Sequence, residues 1–125
     1  MEIKELTKAE EQIMQLLWEL KNAFVKDVID RIPEPKPAYN TVSTIIRILE
    51  TKGFVDHEAL GKSHCYYPLI SKEQYKSFAT EKLLHNYFGN SVENMFSFFI
   101  KKEKIDIKEA DEILKLLGKL KKQKP

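Results

Sequence analysis

The sequence predicts a mainly α-helical protein with a small β-hairpin, in the order three helices, hairpin, three helices. Three observations carry this. Apolar residues recur at helical spacing in six separate stretches, most of them bounded by a capping residue or a glycine. Between the third and fourth stretches lie two short β-prone runs, Phe54–Leu60 and Ser63–Ile70, separated by Gly61-Lys62. The third stretch, Tyr39–Gly53, has one apolar face and one polar face with a single charge.

Thr7-Lys8-Ala9-Glu10 is a T-x-x-E capping box, and it opens the first helix, which runs to about Leu20. Ala9, Ile13, Leu16, Leu17 and Leu20 are expected to point inward, with Trp18 packed at the edge. Phe24-Val25 is a brief extended joint. A second helix follows from about Lys26 to Arg31 and buries Val28, Ile29 and Ile32. Pro33, Pro35 and Pro37 forbid helix beyond it.

The third helix starts at Tyr39 or Asn40 and ends at Gly53. Val42, Ile45, Ile46 and Leu49 stand at i, i+3, i+4 and i+7 and must face a core. At about 100° per residue, Asn40, Ser43, Thr44, Arg47 and Thr51 occupy the opposite face. A solvated helix face is ordinarily rich in Lys and Glu. This one holds hydrogen-bonding groups and a single charge, the kind of surface that reads base edges in a DNA major groove. Three helices followed by a hairpin, with the third helix polar on one side, is the winged helix-turn-helix order.

From Ser71 the pattern is helical again. Ser71-Lys72-Glu73-Gln74 is a second capping box, and the stripe Tyr75, Phe78, Ala79, Leu83, Tyr87 runs to Gly89. Ser91 caps a helix with Val92, Met95, Phe96, Phe99 and Ile100. Asp106 caps the last, with Ile107, Ala110, Ile113, Leu114, Leu117 and Leu120 on one side. Three short helices with wide apolar faces are poorly hidden by one chain, whereas two interdigitating chains would bury them. Two domains are therefore expected: residues 1–70 as the winged helix and residues 71–125 as a helical dimerisation region, with Tyr75, Phe78, Leu83, Tyr87, Met95, Phe96, Phe99, Ile113 and Leu117 in the interface.

Composition excludes several classes. One cysteine, Cys65, leaves no intrachain disulfide framework and no cysteine-rich metal site. Met1–Lys8 is charged without an apolar core, so no signal peptide is expected, and Tyr87–Ile100 is too short and polar to span a bilayer. The expectation is a cytoplasmic protein without membrane insertion. Net charge is +2, distributed as −2 over residues 1–23, zero over 24–68 and +4 over 69–125. The reading segment is not a basic domain, so DNA contact would rest on a few placed cations.

Candidate DNA contacts are Tyr39, Asn40, Thr41, Ser43, Thr44, Arg47 and Thr51, with Lys36, Lys52 and Lys62 as phosphate contacts and Lys62 at the wing tip. Asn40 or Thr41 could instead cap the helix. Tyr66 and Tyr67 read as hairpin packing residues, one of which could reach DNA. His57, His64 and Cys65 lack a third ligand at useful spacing, and His64-Cys65 point to opposite faces of a strand, so neither metal nor cofactor is expected. No glycine-rich phosphate loop or triad-like spacing suggests an enzyme. The alternative to a DNA-binding repressor is a winged helix used only for protein contact, motivated by the zero net charge of residues 24–68.

The motifs LTKAEEQIMQLLW, TVSTIIRILETKGFVDH and HCYYPLI resemble those of the BlaI/MecI penicillinase-repressor family, and a weaker likeness continues through the C-terminal helices. The resemblance implies a homodimeric repressor on a palindromic operator, controlling β-lactamase or resistant cell-wall enzymes. It also implies a membrane sensor-protease that cuts the repressor in its dimerisation region. Two positions depart from the pattern. The family commonly has Arg directly before Leu49, where this chain has Ile48 with Arg47 one residue earlier. Some members are cleaved at Asn-Phe, and the matching pair here is Phe98-Phe99. A copper-sensing branch carries C-terminal cysteines, which this chain lacks.

Overall fold

The computed structural model describes residues 2–123, with side chains described as far as Lys119. Leu120 and most of the lysine-rich tail fall outside those side chains. The elements run α1 (Lys8–Leu20), α2 (Val25–Asp30), α3 (Tyr39–Thr51), β1 (Val55–Leu60), β2 (Ser63–Pro68), α4 (Lys72–Phe88), α5 (Val92–Lys101) and α6 (Ile107–Gln123). The chain divides into two compact units, Met1–Ala79 and Thr80–Pro125.

In the first unit, the Thr7 hydroxyl accepts from the Glu10 N–H at 3.2 Å and Glu10 Oε1 accepts from the Thr7 N–H at 2.9 Å, the reciprocal box that the sequence predicts. The buried stripe of α1 is Glu10, Ile13, Met14 and Leu17. Ala9, expected inside, is exposed. The stripe is turned by one residue because Glu10 has a long-range partner: its Oε1 accepts from Lys52 Nζ at 2.6 Å, and Lys52 also reaches the Glu5 carbonyl at 3.3 Å.

That pair corrects the expectation for Lys52. Its ammonium is committed to α1 and is not displayed for phosphate. Burial acts to raise the pKa of the Glu10 carboxyl, but hydrogen bonds from Lys52 and the Thr7 N–H, with the Lys52 charge, outweigh it and hold the value below the ordinary 4.5. A depressed carboxylate stabilises the fold fully above its ordinary value. The contribution is lost as pH falls from 4.5 through the lowered folded value. Lys52→Met is expected to cost roughly 1–3 kcal/mol at pH 7 and to flatten this acid slope, as read by urea unfolding at pH 7 and below 4.5.

Lys36 is likewise corrected. Its Nζ donates to the carbonyls of Ile29, Asp30 and Ile32 at 3.1, 3.3 and 2.6 Å, tying off the C-terminal end of α2. α3 ends in a full Schellman motif. Gly53 N–H donates to Glu50 O at 3.0 Å and Phe54 N–H to Leu49 O at 2.9 Å, with Gly53 at φ 84°. Leu49 and Phe54, which flank that motif, are both fully buried.

β1 and β2 are antiparallel, with Val55 opposite Pro68 and Leu60 opposite Ser63. Gly61-Lys62 forms the two-residue turn, and φ 65° at Gly61 is the left-handed first position of a type II′ hairpin. Ala23 adds a third strand position, exchanging both backbone hydrogen bonds with Tyr66 at 2.8 and 2.9 Å. This bridge fixes the wing against the joint between α1 and α2. Ile13, Met14, Leu17, Val28, Val42, Ile46, Leu49, Phe54 and Val55 form the centre of the core.

Tyr75 and Phe78, expected at a dimer interface, belong here instead. Tyr75 is buried, its ring 5.6 Å from those of Phe54 and Phe78 and 6.1 Å from that of Trp18. Its hydroxyl accepts the Leu6 N–H at 3.0 Å, and Phe78 packs against the same core. Trp18 Nε1 donates to Ile70 O at 2.9 Å. The first turns of α4 are therefore bound into the winged-helix core.

In the second unit Ser91 caps α5 by accepting from Asn94 N–H at 3.0 Å, and Asp106 caps α6 by accepting from Glu109 N–H at 2.7 Å. Phe98 lies between Phe88 and Phe99, at 5.6 and 5.8 Å. Even so, α5 holds no buried residue, and Leu83, Tyr87, Ile100, Leu114 and Leu117 are all exposed. No helix among the described residues is long and apolar enough to cross a membrane.

Candidate nucleic-acid interface

The exposed side of α3 and the turn end of the wing converge on a cleft of about 190 Å³ lined by Phe24, Val25, Lys26, Tyr39, Ser43, Arg47, Lys62, Ser63, His64 and Tyr66. Three segments distant in sequence thus bring three cations to one place: Lys26 from α2, Arg47 from α3 and Lys62 from the turn. Among the described residues none of the three is paired with a carboxylate.

The predicted residues fall into groups. Asn40, Thr41, Thr44, Arg47 and Thr51 are exposed on α3. Tyr39 is 58% exposed and stands at the cleft. Ser43 is buried, 7% exposed, so it lines the cleft without standing on the open face. The Thr51 hydroxyl donates back to the Arg47 carbonyl at 3.1 Å, so its proton is committed within the helix. Neither Asn40 nor Thr41 caps the helix. The N-cap is Ala38, with no side-chain hydrogen bond, so the first turn of α3 keeps N–H groups available to an anion.

Tyr66, a hairpin residue that the sequence already offered as one of two able to reach DNA, lines the cleft, and Lys26, Ser63 and His64, not expected as contacts, line it too. Strand alternation places His64 and Tyr66 on one face of β2, and Tyr66 is also bridged to Ala23. Burial, with the Glu50 charge, raises the Tyr66 phenol pKa against the opposing Arg47 charge, so Tyr66 stays a neutral donor. Tyr67, its neighbour, is exposed on the other face. His57 stacks on His64 with ring centroids 4.1 Å apart, and its Nδ1 lies 2.5 Å from Glu50 Oε2. Glu50, Asp56 and His57 bring ligand-capable atoms within 4.8 Å, a grouping that sequence spacing did not reveal. Glu50 is occupied by that His57 bond, and Asp56 accepts the His57 N–H at 2.8 Å, so the trio ties the end of α3 to β1.

The penicillinase repressor family pattern matches residues 6–119, across both units. This chain belongs to the penicillinase repressor family. It is 26% identical over 116 residues to the methicillin resistance regulatory protein MecI of Staphylococcus aureus strain N315, covering 92% of this chain and 94% of that one. It is 21% identical over 123 residues to the penicillinase repressor of Bacillus licheniformis, covering 98% and 96%. The solution structure of the DNA-binding domain of the repressor BlaI superposes with a TM-score of 0.52 at 24% identity, covering 59% of this chain and 92% of that domain. The winged-helix fold of that domain is thus shared, and the chain is a member of a family of transcriptional repressors.

Proposed function

We propose that the protein represses transcription as a homodimer on a palindromic operator in the cytoplasm. Each protomer lays the Asn40, Thr44, Arg47 face of α3 in a major groove. The observation that carries this reading is the cleft where Arg47, on that polar face, stands with Lys26 and Lys62, none of the three paired with a carboxylate. Arg47 supplies guanine-edge or phosphate hydrogen bonds, and Asn40 reads adenine or backbone. Lys62 and Lys26 grip phosphate, with Tyr39 and the free N–H groups of α3. Repression follows from occupancy, since two recognition helices in successive grooves exclude polymerase without any chemistry.

The exposed apolar faces of the second unit support the dimer. Leu83, Tyr87, Met95, Phe96, Phe99, Ile113 and Leu117 remain its interface residues. A groove of about 390 Å³, lined by Ile100, Ile105, Ile107, Ala110 and Leu114 among others, offers a seat for apolar side chains. Leu117→Asp should convert a dimer into a folded monomer and weaken operator binding roughly hundredfold or more, because an aspartate would be buried unpaired. Sedimentation equilibrium reads the first effect and gel shift the second.

The regulated genes are of the β-lactam-resistance or cell-wall class. A membrane sensor-protease relieves repression by cutting at Phe98-Phe99, where Phe98 is 44% exposed. Gel shift against fragments of the host chromosome tests the central reading. One or a few retained fragments with an inverted repeat are expected, and retention of none overturns it.

A further inference from the structure

Ile48 is an aliphatic side chain standing open on the recognition helix: it is 41% exposed, whereas its core-facing neighbours Ile46 and Leu49 are fully buried. By helical geometry it lies about 20° from Thr41 and about 40° from Thr44 around the axis, and it shares their exposed side of α3. Thr51 follows one turn later. This flank therefore carries Thr41, Thr44, Ile48 and Thr51, all exposed, while Arg47 lies about 100° away on the adjacent flank.

An open isoleucine gains nothing from water, and a major groove offers it one complementary feature. Thymine alone among the four bases carries a methyl group there. We infer that Ile48, flanked by the Thr44 methyl, is a specificity-determining residue that packs on a thymine C5-methyl in each operator half-site. The inference rests on the reading of α3 as the recognition helix. It adds that one position per half-site is chosen by an apolar contact and that the operator carries thymine there.

The test uses the full-length protein and the chromosomal fragment that it retains in gel shift, prepared once with thymine and once with uracil throughout. Uracil keeps every base pair and removes only the methyl. The wild-type protein should bind the uracil fragment about fourfold more weakly for each contacted methyl lost, hence more than tenfold for two half-sites. Single thymine-to-uracil changes should confine the loss to one symmetry-related pair of positions. Ile48→Ala should bind thymine DNA about as weakly as the wild type binds uracil DNA, and should lose the discrimination at that pair. Ile48→Ser, with unchanged thermal unfolding, serves as a second variant. Equal wild-type affinity for the two fragments overturns the proposal, as does full discrimination retained by both variants. Failure to retain any fragment instead overturns the repressor reading beneath it.

Discussion

Tyr75→Ala is expected to destabilise the winged-helix unit by about 3–5 kcal/mol, the largest effect of any single change considered. Three losses coincide. A ring in contact with Trp18, Phe54 and Phe78 is removed, a cavity opens at the centre of the aromatic cluster, and the Leu6 N–H loses its acceptor. Tyr75→Phe isolates the last of these and should cost about 1–2 kcal/mol, because the ring stays while a buried donor is stranded. Urea unfolding measures both, the midpoint falling with an unchanged slope. Leu83→Ala provides the contrast. Leu83 is 42% exposed within one chain, so its loss should appear in dimer dissociation and hardly in unfolding of the winged helix. A Tyr75→Ala protein with wild-type unfolding but weakened dimers would return Tyr75 to the interface.

Changing Asn40, Thr44 and Arg47 together to Ala should weaken operator binding by roughly 3–5 kcal/mol, a factor of several hundred or more. All three side chains are exposed, so thermal unfolding should not move. Lys62→Ala should act differently. A phosphate contact carries no sequence information, so its loss weakens binding to all DNA about equally and lowers the salt dependence by about one counterion per protomer. Retained specific binding by the triple variant would sink the assignment of this face.

What could be read from the sequence is what is local. The capping boxes at Thr7 and Ser71, the Gly53 stop and the Gly61 turn each depend on residues within a few positions, and each forms as expected. Lys52, Lys36 and Tyr75 make contacts that local reading does not reach. Their partners lie elsewhere in the structure: Glu10 for Lys52, the α2 carbonyls for Lys36, Leu6 and the aromatic cluster for Tyr75. An exposed lysine and a capping lysine look alike in a sequence, and a helical stripe does not say which surface it meets. The same limit explains α1. Periodicity alone favoured Ala9 as the inward residue, whereas the buried pair with Lys52 draws Glu10 in.

The candidate site divides in the same way. The polar face of α3 was legible because amphipathicity is a property of one helix. Lys26 and His64 were not, because long-range contacts, the Ala23–Tyr66 bridge and the Glu50–His57 pair among them, set the wing against α2 and α3 and gather them around Arg47. Residues 24–68 are neutral in sum, yet the fold gathers three of their cations, Lys26, Arg47 and Lys62, around one cleft whose lining includes no carboxylate. Net charge by segment therefore understated the positive character of this one surface.

The salt dependence of binding to the retained operator fragment tests the central claim most directly. Three unpaired cations per protomer, in a dimer, give a slope of log affinity against log salt of roughly −5, with about a thousandfold loss between 50 and 200 mM. A slope near zero for the folded, dimeric protein would contradict a repressor that grips phosphate through Arg47, Lys26 and Lys62, and would favour a winged helix that serves protein contact alone.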